Sequence, residues 1–258
     1  MKNKDVRDEP TFTHHLERLD DLVLDSMKIY QRSDQFCFSI DAILLSYFVQ
    51  SKSKDRYIDL GTGTGVIPLV TTSLGAGSVT GVEINPIMAD LARRSVGYNK
   101  KDDVVRIVEG DYRRMSLMEV TEDTPHKGKP FDAVFVNPPY YGEKMGALSK
   151  SLDVATALHE DHTNLEDVVQ AAKRFVKFKG HCYMIFTSTR LAYAIMILSN
   201  HNFEIKRLRF VHSFPRTESK LVLIDAVLGG NSGVIVEKPL YIYDEPNVYS
   251  EEVRGWYE

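Results

Sequence analysis

The sequence predicts an α/β fold: a doubly wound, mostly parallel sheet with helices on both faces and an antiparallel hairpin at its end. Three observations carry this. Short apolar runs alternate with segments of helical spacing along most of the 258-residue chain, and parallel strands joined by helices make a doubly wound sheet. The first of these runs opens into a glycine-rich turn, Gly61-Thr62-Gly63-Thr64-Gly65. Late in the chain, two strand-like runs, Phe203–His212 and Lys220–Leu228, are separated only by Phe214–Glu218. No helix fits there, so the two runs form a hairpin.

The elements follow in order. Residues 1 to about 20 are polar and charged, which predicts a loose arm or a helix start. Leu22–Gln31 reads as a short hairpin or extended lead-in. Ser39 is a plausible N-cap for a helix with Ile40, Ile43, Leu44 and Tyr47 at helical spacing. Asp41 falls in its first turn, where the helix dipole favours a carboxylate. Tyr57–Leu60 is the first strand, and a helix from the glycine turn runs to about Leu74. Gly77–Glu83 is the second strand, and Asn85-Pro86 opens a helix to about Asn99. Val104–Val108 is the third strand, ending at Glu109-Gly110-Asp111. Residues 113–129 form a polar connection to the fourth strand, Phe131–Val136. A second polar connection, Tyr141–Asn164, precedes a helix over Leu165–Phe178. Gly180–Phe186 is a strand, Arg190–Ser199 a helix, and Val234–Tyr243 a candidate small hairpin. The chain thus divides into an arm and lead-in (1–35), a main domain (36–230) and an extension packed on that domain (231–258).

With 43% hydrophobic and 26% charged residues and a net charge of −4, the composition is that of a soluble globular protein. Nothing global marks a nucleic-acid binder, so any such contact has to come from local basic patches. The N-terminus carries no signal-peptide core, and the longest apolar run is far shorter than the ~20 residues of a membrane span. A cytoplasmic monomer is expected. Cys37 and Cys182 lie in apolar sequence surroundings and read as small buried hydrophobes. No metal is expected: neither His14-His15 nor His159, Glu160 and His162 has a third well-spaced His or Cys partner.

The most informative stretch is Asn137-Pro138-Pro139-Tyr140, directly after the fourth strand. Taken alone it is also what a strand-ending turn looks like. Two prolines lock the chain there, so the Pro138 carbonyl points in one fixed direction. The Asn137 amide supplies a second acceptor. Two rigid acceptors aimed at one point suit a planar –NH2 group, and Tyr140 behind them suits a flat substrate that stacks.

The glycine turn indicates a nucleotide, because glycines permit close backbone approach and leave helix N–H groups free. Its spacing lacks the extra residue of the dinucleotide fingerprint and no Lys-Ser or Lys-Thr follows it. Asp59 precedes the glycines, where a carboxylate repels a pyrophosphate but suits an ammonium or sulfonium group. Glu83 ends the second strand, the place from which an acidic side chain accepts ribose hydroxyls. Asp111 ends the third, where it can accept from an adenine amino group. Three acids at three successive strand ends, with no base set for phosphate, imply an adenosine bearing a positive group: S-adenosyl-L-methionine.

Asp59, Gly61, Gly63, Gly65, Glu83, Asp111 and the Asn137-to-Tyr140 motif resemble the Rossmann-like, class I S-adenosylmethionine-dependent methyltransferases that act on amino nitrogens. The fuller pattern is more specific. Phe36, Phe38, Ser39, Asp41, Ala42, Leu44 and Leu45, the Asn137–Tyr141 run, His159-Glu160, Phe210-Val211-His212, and Tyr241, Tyr243, Asp244 with Tyr249–Glu252 resemble the bacterial tRNA(Val) adenine-N6 methyltransferases, from about residue 17 onward. The resemblance implies a seven-stranded sheet with its last strand antiparallel, a tRNA substrate modified beside the anticodon, and a place for Asp41 in the element closing over the methionine end of the cofactor. Two positions depart from the pattern: Leu158 precedes the His-Glu pair where relatives often have Arg, and Thr187-Ser188 follow the fifth strand where relatives often have a basic residue and Pro.

On this reading Asn137, Pro138 and Tyr140 are the catalytic residues. Asp41, Asp59, Gly61, Gly63, Gly65, Glu83, Asp111 and Asn137 hold the cofactor. Pro139, Tyr140, Tyr141, Lys144, Arg216 and Lys220 meet the substrate. Three other readings stay open: an rRNA guanine-N2 methyltransferase, a protein glutamine-N5 methyltransferase, whose carboxamide is also a planar –NH2, and a non-catalytic S-adenosylmethionine-binding protein that contacts RNA.

Overall fold

The structure, a computed structural model, describes residues 10–22, 27–138 and 165–257. The first element is a hairpin of β1 (Glu17–Asp21) and β2 (Lys28–Arg32), antiparallel with Glu17 opposite Arg32. A strand therefore begins inside the stretch expected to be a loose arm. The polar sequence of β1 gives little sign of it, because side-chain bonds fix the hairpin from outside. Asn99 bonds both the N–H and the carbonyl of Lys28, at 3.0 and 2.6 Å, and Ser95 Oγ accepts from the Tyr30 N–H at 3.0 Å. Arg94 holds Glu17 at 2.8 Å and lies over the Tyr30 ring.

The main sheet collects β3 (Arg56–Leu60), β4 (Ser78–Glu83), β5 (Val105–Glu109), β6 (Phe131–Val136), β7 (Val176–Thr187), β8 (Phe203–His212) and β9 (Ser219–Leu228). Their order is β5-β4-β3-β6-β7-β9-β8, with β9 antiparallel to both neighbours and the other pairings parallel. The chain runs outward from β3 through β4 to β5, then returns to the other side of β3 as β6. That reversal opens a crevice at the C-terminal ends of β3 and β6.

Helices cover both faces. α1 (Ile40–Phe48), α2 (Val66–Ser73) and α3 (Pro86–Tyr98) pack on the face carrying Tyr57, Phe135, Ile185 and Leu223. α5 (Leu165–Phe175) and α6 (Leu191–Asn200), which follow the short α4 (Leu117–Val120), pack on the face carrying Ile58, Val134, Met184 and Ile224. Caps start α1 and α3 where the sequence placed them. Ser39 accepts from the Asp41 N–H and Asn85 from the Ile87 N–H, leaving fewer orphan amide groups in the first turns.

Four local expectations need correction. α4 lies inside the supposed polar connection, started by a capping box between Ser116 and Glu119. α5 ends at Phe175 rather than Phe178, because Val176 already pairs with Phe131. The next pair is Ala133 with His181, so residues 177–180 bulge. The stretch from Val234 is not one hairpin. β10 (Ile235–Val236) and β11 (Leu240–Tyr241) each add in parallel to β8, held by Arg207 on Glu237 and Arg209 on the Lys238 carbonyl. The small hairpin comes next, as β12 (Tyr243–Glu245) and β13 (Val248–Tyr249), before α7 (Glu251–Arg254). Cys182 is buried, but Cys37 is half-buried in a polar turn, with Arg18 Nη2 3.4 Å from its sulfur.

After α7 the chain folds back onto α1. Trp256 stacks on Tyr47 with ring centroids 4.4 Å apart, and the Tyr47 hydroxyl donates to the Trp256 carbonyl. No helix among the described residues is long and apolar enough to cross a membrane.

One glycine is fixed by close approach rather than by its backbone angles. A Cβ on Gly81, in β4, would sit 2.7–2.9 Å from three side-chain atoms of Thr62. Thr62 is short, branched and only 7% exposed, so it has no room to yield. Gly81→Ala is expected to cost ~1–3 kcal/mol, the usual range for overpacking, measured as a drop in the denaturant midpoint at unchanged slope. An unshifted midpoint would show that the glycine turn repacks freely.

Candidate active site

Pairing register brings the strand ends level. Leu60 is opposite both Val82 and Val136, so Gly61, Glu83 and Asn137 stand side by side at one edge, about one strand spacing of ~4.8 Å from each to the next. Asp59 lies two residues below Gly61.

The turn after β3 is built for this position. Gly61, Gly63 and Gly65 have φ of +77°, +58° and +88°, values that side chains with a Cβ rarely adopt. The Gly61 and Thr62 N–H groups both donate to the Val82 carbonyl, at 2.9 and 3.0 Å. A Cβ on Gly61 would meet no described residue within 4 Å, so the described part of the chain leaves the crest of the turn uncovered. Glu83 braces the turn from below. One carboxylate oxygen accepts from the Gly63 N–H at 2.8 Å and the other from the Asn85 N–H at 2.9 Å.

Asp59 has no accessible surface, and neither carboxylate oxygen has a hydrogen-bond partner. The Thr62 hydroxyl beside it is likewise buried without a partner. Burial pushes the Asp59 carboxyl up to about 7; the neighbouring Thr62 hydroxyl opposes the shift and the Glu83 charge adds to it. A buried carboxylate without donors is costly, and a ligand carrying an ammonium group would relieve it.

The remaining residues expected at the site divide into groups. Asp41 is half-buried in the first turn of α1. Asp111 is already engaged: Arg113 bonds both carboxylate oxygens, at 2.8 and 2.9 Å, and its own N–H adds a third bond. Burial raises the Asp111 carboxyl, but these bonds outweigh it and hold the group below the usual range. Asn137 is half-buried and Pro138 buried. Arg216 and Lys220 are exposed on the same edge, around the β8–β9 turn; β9 lies two strand spacings from β6, ~10 Å away. Pro139, Tyr140, Tyr141, Lys144, His159 and Glu160 lie outside the described residues. Sequence reasoning missed Thr62 and Gly81. A glycine between Thr80 and Val82 in a β-branched strand was the available sign for the second.

These features fit S-adenosyl-L-methionine. The described chain leaves a glycine crest uncovered, a partnerless carboxylate sits beside it, and a second carboxylate stands one strand away. Comparison with known proteins agrees. A tRNA1(Val) (adenine(37)-N6)-methyltransferase of Aliivibrio fischeri is 24% identical over 215 residues, covering 83% of this chain and 86% of that protein. Among solved structures, a predicted O-methyltransferase of Agrobacterium tumefaciens superimposes with a TM-score of 0.64 at 20% identity, covering 84% of this chain and 95% of the other. A Listeria monocytogenes protein assigned provisionally as a class I S-adenosylmethionine-dependent methyltransferase gives 0.56 at 13% identity, covering 88% and 74%. The shared fold is the Rossmann-like methyltransferase fold. The profile of the family described as Conserved hypothetical protein 95 matches residues 42–178, more than half of the chain. The chain therefore belongs to that family, and it is an S-adenosylmethionine-dependent methyltransferase.

Proposed function

We propose that this enzyme methylates the N6 amino group of adenine in tRNA, beside the anticodon. The observation that supports the reading is the β3–β6 register: Leu60 pairs with Val136, so Asn137-Pro138 begins level with the glycine turn. The substrate class is supported by the relatives that align along most of the chain, whose names specify adenine 37 of tRNA1(Val).

Asp59 and Thr62 would receive the cofactor's amino-acid end, Glu83 the ribose hydroxyls, and the glycine turn the space between. Asp111 would meet the adenine amino group by sharing its carboxylate with Arg113. Asp41, at the start of α1, would close over the methionine end. When bound, the cofactor supplies an electrophilic methyl group on a sulfonium.

The adenine amine is a poor nucleophile, because its lone pair is spread into the ring. The Asn137 side-chain oxygen and the Pro138 carbonyl accept its two hydrogens and favour a tetrahedral nitrogen. The amine becomes acidic only on methylation, so no strong base is needed beforehand. Positioning supplies most of the acceleration, up to ~7–11 kcal/mol. Tyr140 stacks on the base, worth ~1–3 kcal/mol. The base has to leave its own stack first, at a cost of a few kcal/mol that is least in a single-stranded loop.

Three outcomes are expected. Labelled cofactor with total tRNA, rRNA or protein extract, followed by mass analysis, should yield N6-methyladenosine from tRNA; N2-methylguanosine or N5-methylglutamine would overturn the assignment. Asn137→Ala should reduce kcat by ~100-fold or more, by analogy with loss of one transition-state hydrogen bond, with cofactor affinity changed little. Transfer at near wild-type rate would remove Asn137 from the chemistry.

The third concerns pH. The Asp59 carboxyl titrates near 7 when folded and near ~3.9 when unfolded. The native state therefore binds the extra proton in between, and stability falls as pH rises through that window, by at most ~4 kcal/mol. Without cofactor, Asp59→Asn should be more stable than the wild type at pH 8 and equal to it near pH 4. Wild-type cofactor affinity should rise from pH 6 to pH 8, as the carboxylate forms, and Asp59→Asn should lose that rise. Identical pH profiles for the two proteins would exclude an ionised Asp59 partner.

A further inference from the structure

Asp111 lies just past the sheet. β5 finishes at Glu109, opposite Glu83, and the next N–H, that of Gly110, donates to the Glu83 carbonyl at 2.8 Å. The position of Asp111 is therefore set by the turn it opens, Asp111 to Met115, rather than by strand pairing. Both ends of that turn are anchored. Gly110 is tied to Glu83 in front, and Ser116 caps α4 behind. Asp111 closes the N–H side of the turn itself. Its carbonyl accepts from the Arg114 and Met115 N–H groups at 2.9 and 3.1 Å, and its Oδ1 accepts from the Arg113 N–H at 3.0 Å.

The carbonyl side is closed from another element. Arg174, in the last turn of α5, donates from Nη1 to the carbonyls of Tyr112, Arg113 and Met115, at 3.2, 3.1 and 2.9 Å. Carbonyls that point one way and meet a cation are what a helix presents at its C-terminus. This turn is not continued as a helix, so no following N–H groups of its own reach those oxygens. α5 can hold a guanidinium there because burial fixes the helix: Val168, Val169, Ala172 and Phe175 fill the core beneath it. The Met115 side chain in turn presses on the entry to the turn, since a Cβ on Gly110 would sit 2.7 Å from its sulfur. The bond from Arg174 to the Met115 carbonyl thus bears on the residue before Asp111 as well.

We propose that Arg174 is a positioning residue for the adenine of the cofactor: by gathering three carbonyls, it holds the Asp111–Met115 turn in the one conformation that keeps the Asp111 carboxylate beside the strand ends. This rests on the reading in which Asp111 meets the adenine amino group. Arg174 acts through the turn and not on the ligand. Without it the three carbonyls turn to water and the turn samples other conformations. Only the fraction that keeps Asp111 in place then binds, and apparent affinity falls by that fraction. The ion pair of Arg113 with Asp111 lies inside the turn and moves with it, so it cannot take over the task. Arg174 is exposed, so its truncation opens no cavity in the core.

The test uses the full chain, titrated calorimetrically with S-adenosylhomocysteine and with 5′-methylthioadenosine, which keeps adenine and ribose but lacks the amino-acid end. Neither titration needs a methyl acceptor, so the result is independent of the substrate assignment. Arg174→Ala should weaken both probes by the same factor, ~5–10-fold, as follows when the competent conformation falls to about a tenth to a fifth. A general loosening of the site would cost S-adenosylhomocysteine more, because it has further contacts to lose. Arg174→Lys should recover most of the affinity, since an ammonium carries three donors, and Arg174→Met, which keeps only an apolar stem, should not. Without ligand, the Arg114 and Met115 N–H groups should exchange with deuterium faster in Arg174→Ala, while those of β3 and β4 keep the wild-type rate. Asp111→Asn should weaken the same probes, and the double variant should lose less than the product of the two single losses. Wild-type affinity in Arg174→Ala, or single losses that multiply fully in the double variant, would overturn the role of Arg174 and leave the adenine reading standing. Wild-type affinity in Asp111→Asn would overturn both.

Discussion

The site depends on the parallel register of β4, β3 and β6. Three strands end level only because Leu60 is held opposite Val82 on one side and Val136 on the other. A slip of one residue would turn Asp59 to the opposite face of the sheet, away from the glycine turn, and carry Asn137 out of line with Gly61. What fixes the register is burial on both faces. Tyr57 and Phe135 stack within one core cluster, while Ile58 and Val134 pack in the other. The alternation that fills both cores is also what aims the polar residues.

Glu83 shows how structure and ligand chemistry share one group. Its carboxylate satisfies two backbone N–H groups of the loops that flank the crevice, so it shapes the site before anything binds. Asp59 is the opposite case, a carboxylate enclosed with no donor. A folded chain tolerates that cost at a place where a ligand removes it. The difference between these two acids lies in their partners, not in their distance from the glycines.

Most of the architecture was legible because its signals are local: apolar runs of strand length, caps at Ser39 and Asn85, and a glycine turn after a strand. The acids at the strand ends could be read from their order along the chain. What escaped was set by contacts distant in sequence. β1 exists because Arg94, Ser95 and Asn99 hold the hairpin from α3. β10 and β11 pair with β8 instead of with each other because arginines on β8 bind Glu237 and the Lys238 carbonyl. The engagement of Asp111 by Arg113, only two residues on, was nearer to hand, but nothing in the sequence separates an intramolecular salt bridge from a ligand contact.

The stacking of Trp256 on Tyr47 joins positions 209 residues apart. Closing so long a loop is entropically demanding, and contacts of that range form late. α1 is made early in the chain, yet its outer side is covered only when the far segment docks. The inner side of that helix is set in the core by Ile43, Leu44 and Leu45, so the two ends of the chain's fold meet at its outer side, where the far segment closes over Tyr47.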